Sequence, residues 1–167
     1  MNIILIGMMG SGKTTIGAEL AKELPEYKYI DVDEEIEKST QKKIPDIFLR
    51  HGEPFFRMLE TEKIRLFCKN NGQIISAGGG AFEDKENRKL MLENGRVIYL
   101  KASPEEIFNR IKTQTHRPLL KKNFSVEKIS SIIKLREKNY EKAHITIDTT
   151  GKTPYNIVKE ILGVIND

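Results

Sequence analysis

The hydrophobic pattern of the chain alternates between short apolar runs and longer stretches with helical spacing. The short runs are rich in β-branched residues and predict five strands, at residues 2–6, 29–32, 73–77, 96–101 and 144–149. The stretches between and after them predict helices at residues 13–24, 34–39, 45–51, 54–69, 85–93 and 126–142, with further helices starting after Ser103 and at Pro154.

Strands that alternate with helices predict βαβ units, in which helices cover both faces of a parallel sheet. The 167 residues contain no internal repeat, low-complexity tract or linker, so we expect one α/β domain over residues 1–167 with three layers and a five-stranded parallel sheet. Residues 33–65 form a helical insertion between the second and third strands, and residues 113–123 lack a clear period and form a loop. Parallel sheets bind ligands at the carboxyl ends of their strands, so residues that follow strands are the candidates for function.

Composition and charge narrow the class of protein. Hydrophobic residues make up 38% of the chain and charged residues 31%, which is typical of a soluble globular protein. The net charge of +4 is mild, and the basic pairs Lys42-Lys43 and Lys121-Lys122 have no interleaved aromatic residues. We therefore expect small anions as partners and no nucleic acid.

The chain also lacks the sequence signs of a membrane or secreted protein. The apolar run Ile3–Ile6 is too short to span a membrane and is followed by glycines and a lysine, so we expect no membrane contact and no signal peptide. A single cysteine, Cys68, allows no internal disulfide and is interpreted as a packing residue in a cytoplasmic protein. No long exposed apolar stripe is left over, and we expect a monomer.

A phosphate-binding motif follows the first strand. The sequence GMMGSGKT (residues 7–14) matches G-x-x-x-x-G-K-[ST] and lies between a predicted strand and a predicted helix. Its glycines allow the backbone N–H groups to surround phosphates at a helix N-terminus, Lys13 reaches the β- and γ-phosphates, and the Thr14 hydroxyl binds Mg²⁺. The predicted contacts with ATP are Gly10, Ser11, Gly12, Lys13, Thr14 and Thr15.

Two carboxylates end the second predicted strand. Asp31 and Asp33 are separated by one residue and point the same way if the strand persists. One of them can hold Mg²⁺ near Thr14 through water, and the other can orient an acceptor hydroxyl and take its proton. The alternative is that Asp33 only caps the helix that begins at Glu34.

An arginine stands among bulky apolar side chains in the stretch GEPFFRMLE (residues 52–60). Arginine is almost never fully buried without a partner, so Arg57 predicts a nearby negative group. That group can be a ligand, or it can be Glu53, one helical turn earlier. Three consecutive glycines (residues 78–80) follow the third strand, and they either let the backbone approach a ligand or form a loose turn.

The set of motifs resembles the shikimate kinase family over nearly the whole chain. The matching segments, in order, are GMMGSGKTT (7–15), Asp31-Val32-Asp33, Gly52-Glu53 with Phe56-Arg57 and Glu60, Gly78-Gly79-Gly80, Arg117-Pro118-Leu119-Leu120, Arg136 with Tyr140, and Asp148-Thr149 with Pro154. The phosphate loop alone is common to many nucleotide-binding proteins, but its combination with F-R, G-G-G and R-P-L-L is specific.

The resemblance implies a fold and a reaction. The fold is that of P-loop proteins related to nucleoside monophosphate kinases, with residues 33–65 binding substrate and residues 113–123 forming a lid. The reaction is phosphorylation of the 3-hydroxyl of shikimate by ATP with Mg²⁺, a step toward chorismate and the aromatic amino acids. Residues Lys13, Asp33 and Arg117 are then catalytic.

The resemblance also implies roles for residues far apart in the sequence. Arg57 and Arg136 bind the ring carboxylate of shikimate, Asp33 holds the ring hydroxyls as the base, and Asp31 lies near Mg²⁺. The substrate site also includes the backbone of Gly79 and Gly80. On the nucleotide side, Arg117 closes from the lid onto the phosphates and Arg110 lies near the adenine.

Two other functions compete with this reading. Another small-molecule kinase, such as a gluconate kinase, also acts on a hydroxylated carboxylate, but the F-R, G-G-G and R-P-L-L set argues against it. A nucleotide-dependent switch that binds ATP without phosphorylating a metabolite would leave the two acids and two separated arginines without a purpose as a set.

Overall fold

A computed structural model describes residues 1–112 and 125–165. In chain order its strands are β1 (Asn2–Ile6), β2 (Lys28–Asp31), β3 (Gln73–Ser76), β4 (Gly95–Lys101) and β5 (Ile145–Asp148). Its α-helices are α1 (Lys13–Glu23), α2 (Val32–Thr40), α3 (Ile44–His51), α4 (Glu53–Cys68), α5 (Lys85–Asn94), α6 (Pro104–Ile111), α7 (Val126–Tyr140) and α8 (Pro154–Ile165), and a 3₁₀ turn covers Ala81–Glu83. The lid expected at residues 113–123, with Arg117, lies outside the described residues.

In the described part of the chain the five strands form one parallel sheet, as the alternating pattern predicts. The strand order is β2-β3-β1-β4-β5, and every neighbouring pair is parallel. Strand β1 is central and all five of its residues are buried, which is the pattern of a strand covered on both faces. The phosphate loop, which follows the carboxyl end of β1, therefore begins at the middle of the sheet.

Helices cover both faces of the sheet, which gives three layers. Ile3 and Leu5 of β1 pack with α1 and α8 on one face. Ile4 and Ile6 point to the opposite face and pack with α2, α3, α4 and α5. Helices α6 and α7 share a smaller apolar cluster that includes Met8 of the phosphate loop. The three-layer α/β class is thus confirmed.

The second strand begins and ends one residue earlier than the sequence pattern predicts. It ends at Asp31, and Val32 already belongs to α2. The cause is local: Asp31 Oδ1 accepts a hydrogen bond from the Glu34 N–H at 3.2 Å and so caps the helix. The alternative in which Asp33 is the cap is therefore wrong, because Asp33 lies one residue inside the first turn. The expectation that both acids point the same way along a persisting strand is replaced by a strand-to-helix turn.

The remaining elements agree with the predicted ones to within a few residues. The three helices α2, α3 and α4 connect β2 to β3 and correspond to the expected insertion. Ser103 caps α6 by accepting from the Glu106 N–H at 3.2 Å, with Pro104 in the first turn. Cys68 is buried, and burial raises the pKa of its thiol to about 11, which fits a packing residue. Within residues 1–112 and 125–165, every helix is too short or too polar to cross a membrane.

Candidate active site

The phosphate loop connects the central strand to α1. The Ser11 N–H donates to the Met8 carbonyl at 3.1 Å, and Gly12 in the left-handed region precedes the first helical residue. Gly12 has no side chain with which to cap α1, so the first turn of the helix remains open to a ligand. Thr15 lines the cleft beside this first turn, whereas Ser11 of the loop is buried.

Lys13 folds back over this loop. Its Nζ donates to the carbonyl oxygens of Gly7 at 2.8 Å and Met8 at 3.0 Å. The ammonium group is thereby held at the mouth of the loop, where a triphosphate would bring negative charge. The contact of Lys13 with the β- and γ-phosphates, which the motif predicts, stays a prediction.

A cleft of about 360 Å³, here called the loop cleft, lies along the phosphate loop. The side chains of both acids at the end of β2 reach it, as does the glycine segment that follows β3. The predicted site residues that line it are Gly10, Gly12, Lys13, Thr14, Thr15, Asp31, Asp33, Gly79 and Arg110. The structure therefore brings the nucleotide residues and the two acids into one cavity.

The loop cleft offers oxygen atoms suited to a magnesium ion. The Thr14 hydroxyl donates to Asp31 Oδ2 at 2.9 Å, so a hydroxyl and a carboxylate oxygen are already side by side. Hydroxyl, carboxylate and water oxygens are the ligands Mg²⁺ prefers, and the ion is usually held by one or two carboxylates together with substrate phosphates.

Arg57 is held by two carboxylates of its own helix. Its Nη1 donates to Glu60 Oε1 at 2.9 Å, and its Nε and Nη2 donate to Glu53 Oε1 at 3.3 and 3.2 Å. The pairing with Glu53 that the sequence left open is therefore present. This pairing leaves part of the guanidinium available to a ligand, because the Arg57 side chain is still 33% exposed.

Glu60 is the charged residue that sequence reasoning left without a role. It is 1% exposed, and burial raises the pKa of its carboxyl to about 7, although the neighbouring Arg57 guanidinium lowers it. Its Oε2 atom has no hydrogen-bond partner among the described residues. Its spacing of three residues from Arg57 indicates that the two side chains can pair on a helix. The spacing does not indicate whether such a pair lies on the surface or in the core.

The triple glycine makes room for side chains of the site. A Cβ atom at Gly78 would lie 2.6 Å from Glu60 Oε2 and 3.1 Å from Asp33 Oδ1, and one at Gly80 would lie 2.6 Å from Arg57 Nη2. At distances below 3.0 Å, a side chain at Gly78 or Gly80 would force the end of the Glu60 or Arg57 side chain to shift. The segment is therefore packed against charged groups, which favours close approach of the backbone over a loose turn.

The second predicted arginine lies near the first. Arg136 and Arg57 both line a cleft of about 220 Å³, here called the arginine cleft, together with Gly80. A Cβ atom at Gly79 would lie 3.6 Å from Arg136 Nη1, and Gly79 lines the loop cleft. The two clefts therefore adjoin across one peptide, between Gly79 and Gly80.

Arg110 lies at the other end of the loop cleft. Its Nη1 donates to the Gly10 carbonyl at 3.2 Å, and its Nη2 pairs with Glu106 one turn earlier. The other carboxylate oxygen of Glu106 accepts from the Gly151 N–H at 2.9 Å. Glu106 thus connects Arg110 to the segment after β5, a connection that sequence spacing did not indicate.

Together, the parallel sheet, the phosphate loop and an adjoining cleft with two arginines define a P-loop kinase that acts on a small molecule. Comparison with known proteins gives the family. The family model for shikimate kinase matches residues 9–166. The chain belongs to the shikimate kinase family.

Individual relatives agree with this assignment. The chain is 48% identical to a shikimate kinase of Persephonella marina over 164 residues, which cover 98% of each chain. It is 43% identical to a shikimate kinase of Geobacter metallireducens over 98% of this chain and 91% of the relative. Among solved structures, shikimate kinase from Acinetobacter baumannii in complex with shikimate superposes with a TM-score of 0.93, at 35% identity and covering 98% of this chain and 92% of that one.

Proposed function

We propose that this protein transfers the γ-phosphoryl group of ATP to the 3-hydroxyl of shikimate, giving shikimate 3-phosphate and ADP on the route to chorismate. The observation that carries the proposal is the junction of the two clefts. Arg57 and Arg136 line the cleft that meets the phosphate loop at Gly79 and Gly80. A small acid bound to the two arginines would have its ring directed toward the nucleotide.

The arginine cleft supplies recognition of the substrate carboxylate. Arg57 and Arg136 would bind the carboxylate, helped by the backbone at Gly79 and Gly80. Charge-assisted hydrogen bonds of this kind contribute about 1.5–3 kcal/mol each. Because the carboxylate and the reacting hydroxyl are on different ring carbons, this binding orients the ring and lowers the entropy barrier of transfer.

The loop cleft supplies the chemistry. Asp33 would accept the proton of the 3-hydroxyl while the oxygen of that hydroxyl forms a bond to the γ-phosphorus. The bond between the γ-phosphorus and the β-γ bridging oxygen breaks at the same time and releases ADP. Lys13 and the loop N–H groups would stabilise the charge on the phosphates. Arg117 would add a positive charge when the lid closes and water is excluded.

A magnesium ion bound with ATP would be held by Thr14 and Asp31 and would supply charge neutralisation on the phosphates. Arg110, held by Glu106 beside the Gly10 carbonyl, would border the adenine together with the segment after β5. Residues 33–65 would serve as the substrate-binding region, since they carry Asp33, Glu60 and Arg57.

The test is a comparison of acceptors in one assay. ADP release from MgATP is measured with shikimate, with gluconate, with a nucleoside monophosphate and with no acceptor, and the product is identified by ³¹P NMR. We expect strong stimulation by shikimate alone and a phosphate ester at its 3-position. Equal turnover with gluconate, or turnover that no acceptor stimulates, would overturn the proposal.

A further inference from the structure

Tyr140 lies one helical turn after Arg136 on α7 and is completely buried. Its ring stacks on Tyr99 of β4 with 4.8 Å between ring centroids and 26° between planes. A buried tyrosine hydroxyl needs a hydrogen-bond partner, and here it donates to the carbonyl oxygen of Gly79. A tyrosine of the buried core is therefore hydrogen-bonded to the glycine segment of the site.

The bonded carbonyl belongs to the peptide at which the two clefts meet. A Cβ atom at Gly79 would lie 3.2 Å from the Met9 nitrogen of the phosphate loop and 3.6 Å from Arg136 Nη1. The peptide that joins Gly79 to Gly80 is planar and trans, so its C=O and N–H point in opposite directions. A hydroxyl that fixes the Gly79 carbonyl therefore also fixes the direction of the N–H of Gly80, a residue that lines the arginine cleft.

The hydroxyl stays protonated at neutral pH and remains a donor. Burial raises the pKa of Tyr140, and this outweighs the charge of the Arg136 guanidinium and its hydrogen bond with the tyrosine, which lower the pKa. The alternative reading is that Tyr140 simply fastens α7 to the body of the protein. Other polar groups near the same end of α7 also attach the helix: Lys101 bonds to Glu137 at 2.8 Å, and Asn139 bonds to Glu83 at 3.2 Å.

We propose that the Tyr140 hydroxyl is a positioning group of the substrate site, which holds the Gly79–Gly80 peptide in the orientation that lets Gly80 and Arg136 bind the same carboxylate. This inference rests on the proposed function, since the carboxylate is that of shikimate. It predicts that loss of the Tyr140 hydroxyl changes the KM for shikimate without an equal change in the KM for ATP.

The chain offers a matched pair of variants for the test. Tyr140→Phe removes the hydroxyl and keeps the stacked ring, whereas Tyr99→Phe removes a hydroxyl from the other ring of the same pair and leaves the bond to Gly79. The KM for shikimate, the KM for ATP, kcat and the Tm are measured for both variants and for the unmodified protein. If Tyr140 only fastens α7 to the fold, Tyr140→Phe would lower the Tm and would not change the KM for shikimate more than the KM for ATP.

We expect Tyr140→Phe to raise the KM for shikimate about 3- to 10-fold, the range for one hydrogen bond, with the KM for ATP and kcat changed less than about twofold. Tyr99→Phe should leave both KM values unchanged. An unchanged shikimate KM in Tyr140→Phe, an equal rise for ATP, or the same rise in Tyr99→Phe would overturn the inference. If the unmodified protein fails to phosphorylate shikimate, the proposed function fails instead.

Discussion

Arg57 donates a hydrogen bond to Glu60 at 2.9 Å, and the carboxylate that receives it is 1% exposed. The arginine that we assign to the substrate carboxylate is therefore held by the interior of the protein before any ligand binds. Ordering a long side chain opposes binding, so a guanidinium that is already fixed binds an anion more tightly than a mobile one.

This arrangement predicts that a side chain at Gly80 would displace the Arg57 guanidinium. Gly80→Ala places a methyl group 2.6 Å from Arg57 Nη2 and displaces the guanidinium. We expect the KM for shikimate to rise about 10- to 100-fold, the effect of a misplaced positioning group, with little change in the KM for ATP. Gly163→Ala on α8 is the control, because its methyl group would meet nothing within 4 Å. Steady-state kinetics in which Gly80→Ala behaves like Gly163→Ala would contradict the packing argument.

Asp33 is predicted to act in the chemical step. Asp33→Asn keeps the size of the side chain but removes the base, so we expect kcat to fall by at least about 100-fold, which is within the range for positioned acid–base groups. Nucleotide binding, followed by calorimetry, should survive. Glu34→Gln is the matched control, because the neighbouring Glu34 side chain is 58% exposed on the same helix. A fully active Asp33→Asn protein would remove Asp33 from the reaction.

Asp31 is predicted to serve the metal ion. Asparagine caps helices about as well as aspartate, so Asp31→Asn should preserve the start of α2 while it removes the charge beside Thr14. We expect the Mg²⁺ concentration for half-maximal activity to rise about tenfold or more, with an unchanged Tm. Asp46→Asn, in the first turn of α3, is the control. An unaltered Mg²⁺ titration in Asp31→Asn would argue against this role.

The buried Glu60 predicts a pH dependence of binding. Its pKa is raised from 4.5 to about 7 in the folded protein, so Glu60 favours the protonated state between these values and its contribution to stability is lost as the pH rises through 7. Asp33 raises this pKa, whereas Arg57 and Arg136 lower it. A substrate carboxylate on the arginines adds negative charge and would raise the pKa further.

Shikimate should therefore bind the nucleotide-free protein more tightly as the pH falls from 8 to 6, with uptake of protons near pH 7. Titration calorimetry in two buffers of different ionisation enthalpy measures this uptake. Glu60→Gln should flatten the dependence, because the amide does not titrate. Binding that tightens toward pH 8 in the unmodified protein would show that the sign is wrong.

Much of this site is visible in the sequence because its motifs are local. The phosphate loop needs its glycines, Lys13 and Thr14 in one run between a strand and a helix, and the structure places them as the spacing predicts. The sheet is equally readable, since a strand such as β1, buried on both faces, has to be continuously apolar.

The parts that escaped prediction depend on contacts between distant segments. Spacing places Glu60 next to Arg57 on α4, but only the packing of Gly78 against α4 shows that this carboxylate is buried. Similarly, the sequence offered Asp33 as the cap of α2, whereas Asp31 caps it in the structure. The difference depends on where β2 stops pairing with β3. Sequence spacing within one element carries no information on either point.

The central claim is that Arg57 recognises the substrate through its carboxylate, and a ligand change combined with a variant tests it most directly. The kcat/KM for shikimate and for its neutral carboxamide is measured with the unmodified protein, with Arg57→Ala and with Arg50→Ala, a substitution of an exposed arginine on α3. The unmodified protein and Arg50→Ala should prefer the acid by about 10- to 150-fold, the value of charge-assisted hydrogen bonds. Arg57→Ala should lose a large part of this preference, with Arg136 still able to bind the carboxylate, while its KM for ATP stays the same. Equal preference for the acid in Arg57→Ala and the unmodified protein would contradict the account.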